Sequence, residues 1–254
     1  MCSIAWRWCP DQPESLILIS NRDEFYDRPT DKARQWVGSN IWAGKDLRAG
    51  GTWLGVTDSG RLAAVTNHRS PLLMKDASIS RGNLIPEFLE SRFSSQEFID
   101  LLCEKYCSFN PFNLMVYDGN LLLGFEGRND KYRVIEFDPG FGSVSNGNFN
   151  SPWVKQMLLQ QNFQHLLYGS NCSDDELLDL LLNDDVTPID QLPTTGIPID
   201  KEIALSSLFV RMDSYGTRAS SLIRIRDNEI IFSERSFGTD VKTYKVQHII
   251  KRIA

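Results

Sequence analysis

Short apolar runs of strand length open and close this chain, and helix-patterned segments fill much of the interval between them. Residues 3–8 and 15–20 read as two strands across the polar turn Pro10-Asp11-Gln12-Pro13. Residues 52–57 and 61–66 read as a second pair, because Asp58-Ser59-Gly60 is a three-residue link ending in Gly. These four strands precede any helix. A helix is then expected over 83–93, and a second runs from Ser94 to about Cys107, opened by the capping box Ser94/Glu97. Strands return at 112–117, 121–124 and 132–137. Further helices are expected over 153–167 behind Pro152, and over 173–182 behind the capping box Ser173/Glu176. Residues 183–199 carry three prolines and read as a surface loop, followed by a short helix near 203–208. The chain ends on strands at 219–226, 229–235 and 243–248. Hairpin turns with few crossovers indicate an α+β fold of mostly antiparallel sheets. The strands suffice for two stacked sheets flanked by helices. No repeat or linker divides residues 1–254, so one domain is expected.

Several function classes fall away on charge and patterning. The formal net charge is −6 with no basic block, which argues against nucleic acid as a partner. Apolar runs such as Leu16-Ile17-Leu18-Ile19 are too short to span a bilayer, so no stable membrane insertion is expected. Five scattered cysteines make a poor disulfide framework and suit a reducing, cytoplasmic setting. Cys103 and Cys107, four apart in a helical stretch, read as buried helix residues, and no zinc pattern includes them.

Chemistry gathers near the amino terminus. Removal of Met1 would leave Cys2 with a free α-amine, whose pKa of about 7.7–8.0 suits it to serve as base for its own thiol. Against this, Cys2 could equally begin an edge strand as a small apolar residue. Asn21-Arg22-Asp23-Glu24 follows directly on an apolar strand. In a hairpin the end of the second strand lies beside the start of the first, so Arg22 would stand near Cys2 and stabilise its thiolate. Asn67 and Asn146 stand at strand ends, where side-chain amides can donate to an oxyanion, although Asn146 before Gly147 also fits a plain turn. Arg218 enters an apolar strand and could bind a substrate carboxylate. Trp53 is a candidate pocket wall, and His68 would share the cleft of Asn67.

Several segments together carry a resemblance: Met1-Cys2-Ser3-Ile4, Asn21-Arg22-Asp23-Glu24, Trp42-Ala43-Gly44-Lys45-Asp46, Gly50-Gly51-Thr52-Trp53, Ser80-Arg81-Gly82-Asn83, Ser145-Asn146-Gly147 and Tyr215-Gly216-Thr217-Arg218. In this order, over nearly the whole chain, they resemble the NRDE family, the transport and Golgi organisation family. The resemblance implies a four-layer αββα fold of the N-terminal-nucleophile type, distantly related to choloylglycine hydrolases and penicillin acylases. By motif, Cys2, Arg22, Asn67, Asn146 and Arg218 look like the catalytic set of those enzymes, with Asp23, Glu24, Trp53 and His68 as ligand-binding candidates. The acylases order their early motif Arg-Asn-x-Asp. Here Arg22 and Asp23 are adjacent and would point to opposite faces of a strand, which leaves the acid open between Asp23 and Glu24. The family is associated with haem movement and with lipid or acyl handling. Two readings follow: a carrier of haem or a similar apolar, carboxylate-bearing molecule, and a cysteine amidohydrolase acting on a small amide. The rearranged acid motif tilts the balance toward the carrier. No cofactor is required in either reading, haem entering only as cargo, and no metal site is expected.

Overall fold

The computed structural model describes residues 2–71, 79–169, 172–238 and 243–253. Met1 lies outside the described residues.

Thirteen strands and five α-helices follow one another among these residues. Six strands come first: β1 (Cys2–Trp8), β2 (Glu14–Phe25), β3 (Thr30–Gln35), β4 (Ile41–Asp46), β5 (Leu54–Thr57) and β6 (Leu62–Asn67). Helices α1 (Leu84–Glu90) and α2 (Ser95–Lys105) lead to β7 (Phe112–Tyr117), β8 (Leu122–Gly127), β9 (Tyr132–Glu136) and β10 (Gly140–Val144). Next come α3 (Val154–Tyr168), α4 (Asp174–Asp179) and α5 (Ile199–Ala204), then β11 (Tyr215–Arg226), β12 (Glu229–Phe237) and β13 (Thr243–Lys251).

The strands form two antiparallel sheets, one ordered β10-β1-β2-β11-β12-β13 and the other β3-β4-β5-β6-β7-β8-β9. Side-chain alternation sorts each strand between two cores. Ile4, Trp6, Leu16 and Leu18 of the first sheet meet Leu54, Val56, Leu62 and Met115 of the second in a shared inner core. On the outer face of the first sheet, Ala5, Ile17 and Ile19 pack with Leu159 and Phe163 of α3 and Leu177 of α4. The second sheet turns Ala63, Leu114 and Phe125 toward Leu84 and Phe88 of α1 and Phe98 of α2. The result is a four-layer αββα stack.

This layering explains why Leu16 to Ile19 are all fully buried. A strand covered on both faces needs apolar residues at successive positions, whereas one half-exposed strand would alternate. Fully burying a side chain of this size contributes about 1.5–3 kcal/mol. The capping boxes at Ser94 and Ser173 form as expected, each hydroxyl accepting from the backbone N–H three residues on.

Three strands lie outside the sequence expectation. β3 is an edge strand whose only buried side chain is Ala33, so it carries no apolar period. β4 adjoins it. β10 is the opposite kind of edge, Gly-Phe-Gly-Ser-Val; a Cβ on Gly142 would come within 2.6 Å of the Trp6 ring. The helix expected near 203–208 begins earlier, at Ile199 directly behind Pro198. The two cysteines are not buried as expected: Cys103 in α2 is half-buried, and Cys107 is exposed because it falls in the 3-10 turn Tyr106–Ser108 beyond the end of α2.

Candidate active site at Cys2

The antiparallel register between β1 and β2 sets Cys2 directly opposite Arg22. Both face the interval between the sheets, where a cleft of about 130 Å³ opens at the sheet ends, lined among others by Cys2, Arg22, Trp53, Asn67 and Arg81. The hairpin reasoning therefore places its two residues side by side.

Arg22 is 4% exposed and fully engaged. It donates to Thr30 Oγ1 at 3.0 Å and lies 4.3 Å above the Trp53 ring. Its guanidinium is 3.5 Å from Asp46 Oδ2 and 4.0 Å from Glu24 Oε2. Arg28 joins the same carboxylates, its Nε 2.7 Å from Asp46 Oδ2. Burial alone would raise the Asp46 pKa, but the Arg28 hydrogen bond, the Ala49 N–H and the two guanidinium charges together hold it below the ordinary carboxylate range.

Strand alternation separates the two candidate acids. Glu24 shares the face of Arg22. The Asp23 carboxylate instead accepts from Thr217 Oγ1 at 2.7 Å. Burial pushes the Asp23 pKa up, opposed by Lys155 and Arg69 among other charges. Lys155 is itself buried, donates to the Leu205 carbonyl at 2.8 Å, and is brought down to about 8 by burial and by Arg69.

Arg22 does pull the Cys2 thiol toward ionisation, yet the net shift is upward. Burial is the largest influence, and Asp23 and Glu24 add to it. The thiol therefore rests protonated at neutral pH and needs a base for attack.

Asn67, at the end of β6, borders the cleft, and its side-chain amide makes no hydrogen bond among the described residues. Asn146 plays a different part. It is fully buried, its Nδ2 donates to the Asn67 carbonyl at 2.8 Å, and its own carbonyl accepts from Arg69 N at 2.8 Å. Ser145 beside it donates to the Cys2 carbonyl at 3.2 Å. The Asn146 turn thus fixes the backbones that present Cys2 and Asn67.

Arg218 is not among the residues lining this cleft. Its Nη1 donates to the carbonyls of Phe25, Tyr26 and Arg28 at 2.9–3.3 Å, fastening the loop that follows β2. His68 also turns elsewhere, into a groove of about 570 Å³ that includes Trp153 and residues 191–195. Burial and then the Arg128 charge bring its pKa down to about 4, so it is neutral at pH 7.

Arg81, from the Ser80-Arg81-Gly82-Asn83 segment, is a cleft residue that sequence reasoning does not single out. It lines the cleft, donates to the Pro111 carbonyl at 3.0 Å, and among the described residues has no carboxylate at ion-pair distance. Burial lowers its pKa, with Cys2 and Glu24 opposing. The signal that could have located it is a pair of glycines. A Cβ on Gly51 would lie 2.5 Å from the Gly82 carbonyl carbon, and Thr52 N donates to Gly82 O at 3.1 Å. Only glycines let these two backbones touch and bring Arg81 to the cleft. Asp46 and Arg28 were likewise outside the candidate set.

Among the described residues no group of three or more His, Cys, Asp or Glu gathers as a metal site. No helix among them is long and apolar enough to cross a membrane.

The family model for Transport and Golgi organisation 2 matches residues 1–239. The Bos taurus Transport and Golgi organization protein 2 homolog is 33% identical over 270 residues, covering 94% of this chain and 95% of that protein. The Homo sapiens homolog is 32% identical over 265 residues, with 93% of each covered. The Drosophila melanogaster protein is 25% identical over 253 residues, covering 87% and 86%. Among solved structures, a Caenorhabditis elegans N-acylethanolamine-hydrolyzing acid amidase ortholog aligns at TM-score 0.49 and 12% identity, over 88% of this chain and 92% of that one. A mutant conjugated bile acid hydrolase from Clostridium perfringens aligns at 0.49 and 14%, over 100% and 97%.

Proposed function

The chain belongs to the Transport and Golgi organisation 2 family, and on that footing we propose that its Cys2 cleft is the site of an N-terminal-nucleophile amidohydrolase acting on an amide with a small anionic head group. The observation that carries this reading is the meeting, in one polar cleft, of the Cys2 thiol with an Asn67 amide and an Arg81 guanidinium that, among the described residues, have no side-chain hydrogen bond and no carboxylate at ion-pair distance respectively. Once Met1 is removed, the Cys2 α-amine takes the thiol proton as sulfur attacks the carbonyl carbon of the substrate. The Asn67 side chain donates to the oxyanion. Collapse breaks the C–N bond, the α-ammonium returns its proton to the leaving amine, and a thioester remains on Cys2. Water, activated by the same amine, releases the acid and restores the thiol. Arg81 receives the substrate's anionic group, and the Asp46–Arg28–Arg22 network keeps Arg22 beside Cys2. The cleft volume of about 130 Å³ supports a small head group there. Five free thiols support the cytoplasm as its compartment.

A screen of small amides against the processed protein tests the reading. Turnover should vanish in Cys2→Ala; undiminished turnover in that variant would end it.

A second reading, carriage of haem or a similar apolar carboxylate-bearing molecule, is favoured by the His68 groove. The groove falls within the roughly 300–1,000 Å³ of ordinary ligand sites, and a neutral imidazole is the form that ligates iron. Haem titration followed in the visible spectrum tests it. Binding should be lost in His68→Ala, and an unaltered spectrum in the wild type would exclude it.

A further inference from the structure

One register row crosses the six-stranded sheet at the cleft end. Cys2 pairs with Arg22, Arg22 with Ala219, Ala219 with Ser236, and Ser236 with Tyr244. Residues directly opposite across antiparallel strands share a face. The near end of the row is the Cys2 cleft. The far end opens on a second cavity of about 180 Å³, lined by Trp53, Ala219, Ser236, Phe237 and Tyr244 among others. Trp53 lines both spaces, so one indole forms the partition.

The charged groups bordering the far cavity have partners already. Arg218 is held by backbone carbonyls, Lys32 sits over the Tyr244 ring, Asp31 pairs with Arg34 at 2.8 Å, and buried Glu234 accepts from Ala33 N at 2.9 Å and Ser236 Oγ at 3.1 Å. What remains for a ligand is aromatic surface and the small side chain of Ala219. The cavity resembles in size the roughly 150 Å³ void that holds benzene in an engineered protein core. Neither space alone reaches the ~300 Å³ usual for a ligand pocket, whereas the two joined do.

We propose that the far cavity is a subsite of the Cys2 cleft, receiving a phenyl-sized apolar group carried by the ligand whose polar end lies at Cys2. The proposal rests on the reading of that cleft as the ligand site. Two to three strand spacings, about 10–14 Å at ~4.8 Å each, separate Cys2 from the subsite. The ligand is therefore an elongated amphipathic molecule that crosses the Arg22–Trp53 stack.

Alkylation of Cys2 measures this without knowledge of the substrate. Iodoacetamide, iodoacetanilide and N-(4-phenylbutyl)iodoacetamide each lose iodide to the thiolate, and peptide mapping gives the rate at Cys2 alone. Only the phenylbutyl reagent is long enough to seat its ring beyond Trp53. Its rate on the wild type should exceed that of the other two by about tenfold, the gain from burying one aromatic ring. Ala219→Phe, or Ser236→Phe should the first unfold, fills the subsite and should bring the ratio of long to short reagent toward one. Equal rates for all three reagents on the wild type would overturn the subsite while leaving the cleft reading intact. A ratio unmoved in a folded filling variant would also overturn it. Failure of every reagent to reach Cys2 in the folded protein would overturn both.

Discussion

Arg69 and Glu202 form an ion pair at 2.7 Å with side chains only 4% and 3% exposed. It ties the segment behind β6 to α5. The other Glu202 oxygen accepts from the Thr195 backbone and hydroxyl, and Arg69 reaches the Leu205 carbonyl at 3.3 Å. Glu202→Gln keeps the shape and removes the charge, leaving a guanidinium buried without compensation. Breaking a buried pair from one side costs about 3–5 kcal/mol. Replacing both members by apolar residues, Arg69→Met with Glu202→Leu, leaves no orphan charge and should cost less than either single change. Urea unfolding reads both outcomes as midpoint shifts at constant slope. At ~2–3 kcal/mol per molar, the single variant should lose about 1–2 M. Hydrogen exchange should speed up at Thr195, since the prolyl loop loses its anchor. A Glu202→Gln midpoint within about 0.3 M of wild type, or a double variant weaker than the single, would refute the reasoning.

Other outcomes follow from the same geometry. Gly44→Ala places a Cβ 2.6 Å from Trp53 Cζ2, so the ring must move from beneath Arg22; overpacking should cost about 1–3 kcal/mol in thermal melts and alter tryptophan emission. An unchanged Tm would show that Trp53 is free to shift. Asn67→Ala removes no side-chain hydrogen bond among the described residues and should alter stability by under ~0.5 kcal/mol while lowering amide turnover about 10²–10³-fold; a large stability loss would mean the amide is structural. His68, lowered to about 4 by burial, is neutral in the folded state while the unfolded chain protonates near 6.5. Its contribution is therefore complete above pH 6.5 and lost as pH falls toward 4. Because the ring is partly solvent-screened, about 1–2 kcal/mol is expected in wild-type unfolding curves and should be missing from His68→Phe. The same acid slope in both proteins would contradict it.

Legibility in the sequence followed burial pattern. β2, β6 and β7 announce themselves because continuous or alternating apolar residues are required by a sheet covered on both faces. β3 and β10 do not. One is a polar edge, and the other is shaped by Gly142, which yields room to the Trp6 ring. Cys2 and Arg22 could be brought to the same end of a hairpin from the sequence, since consecutive antiparallel strands place the end of one beside the start of the other. The separation of Asp23 from Glu24 was equally legible as strand alternation. The placement of Arg81 and Asp46 was not, because Arg81 stands in a turn packed on Thr52 and Asp46 ends β4, a strand with no legible apolar period, and both positions depend on contacts between segments distant in sequence. Asn67 and His68 show the limit most plainly: adjacent in the chain, they face different cavities.

The account turns on whether Cys2 begins the mature chain. Intact mass of the protein isolated from its native cell should be lower than the full sequence by one methionine residue. A mass that retains Met1 would make the Cys2 nitrogen an amide, unable to act as base, and would contradict the proposed hydrolase.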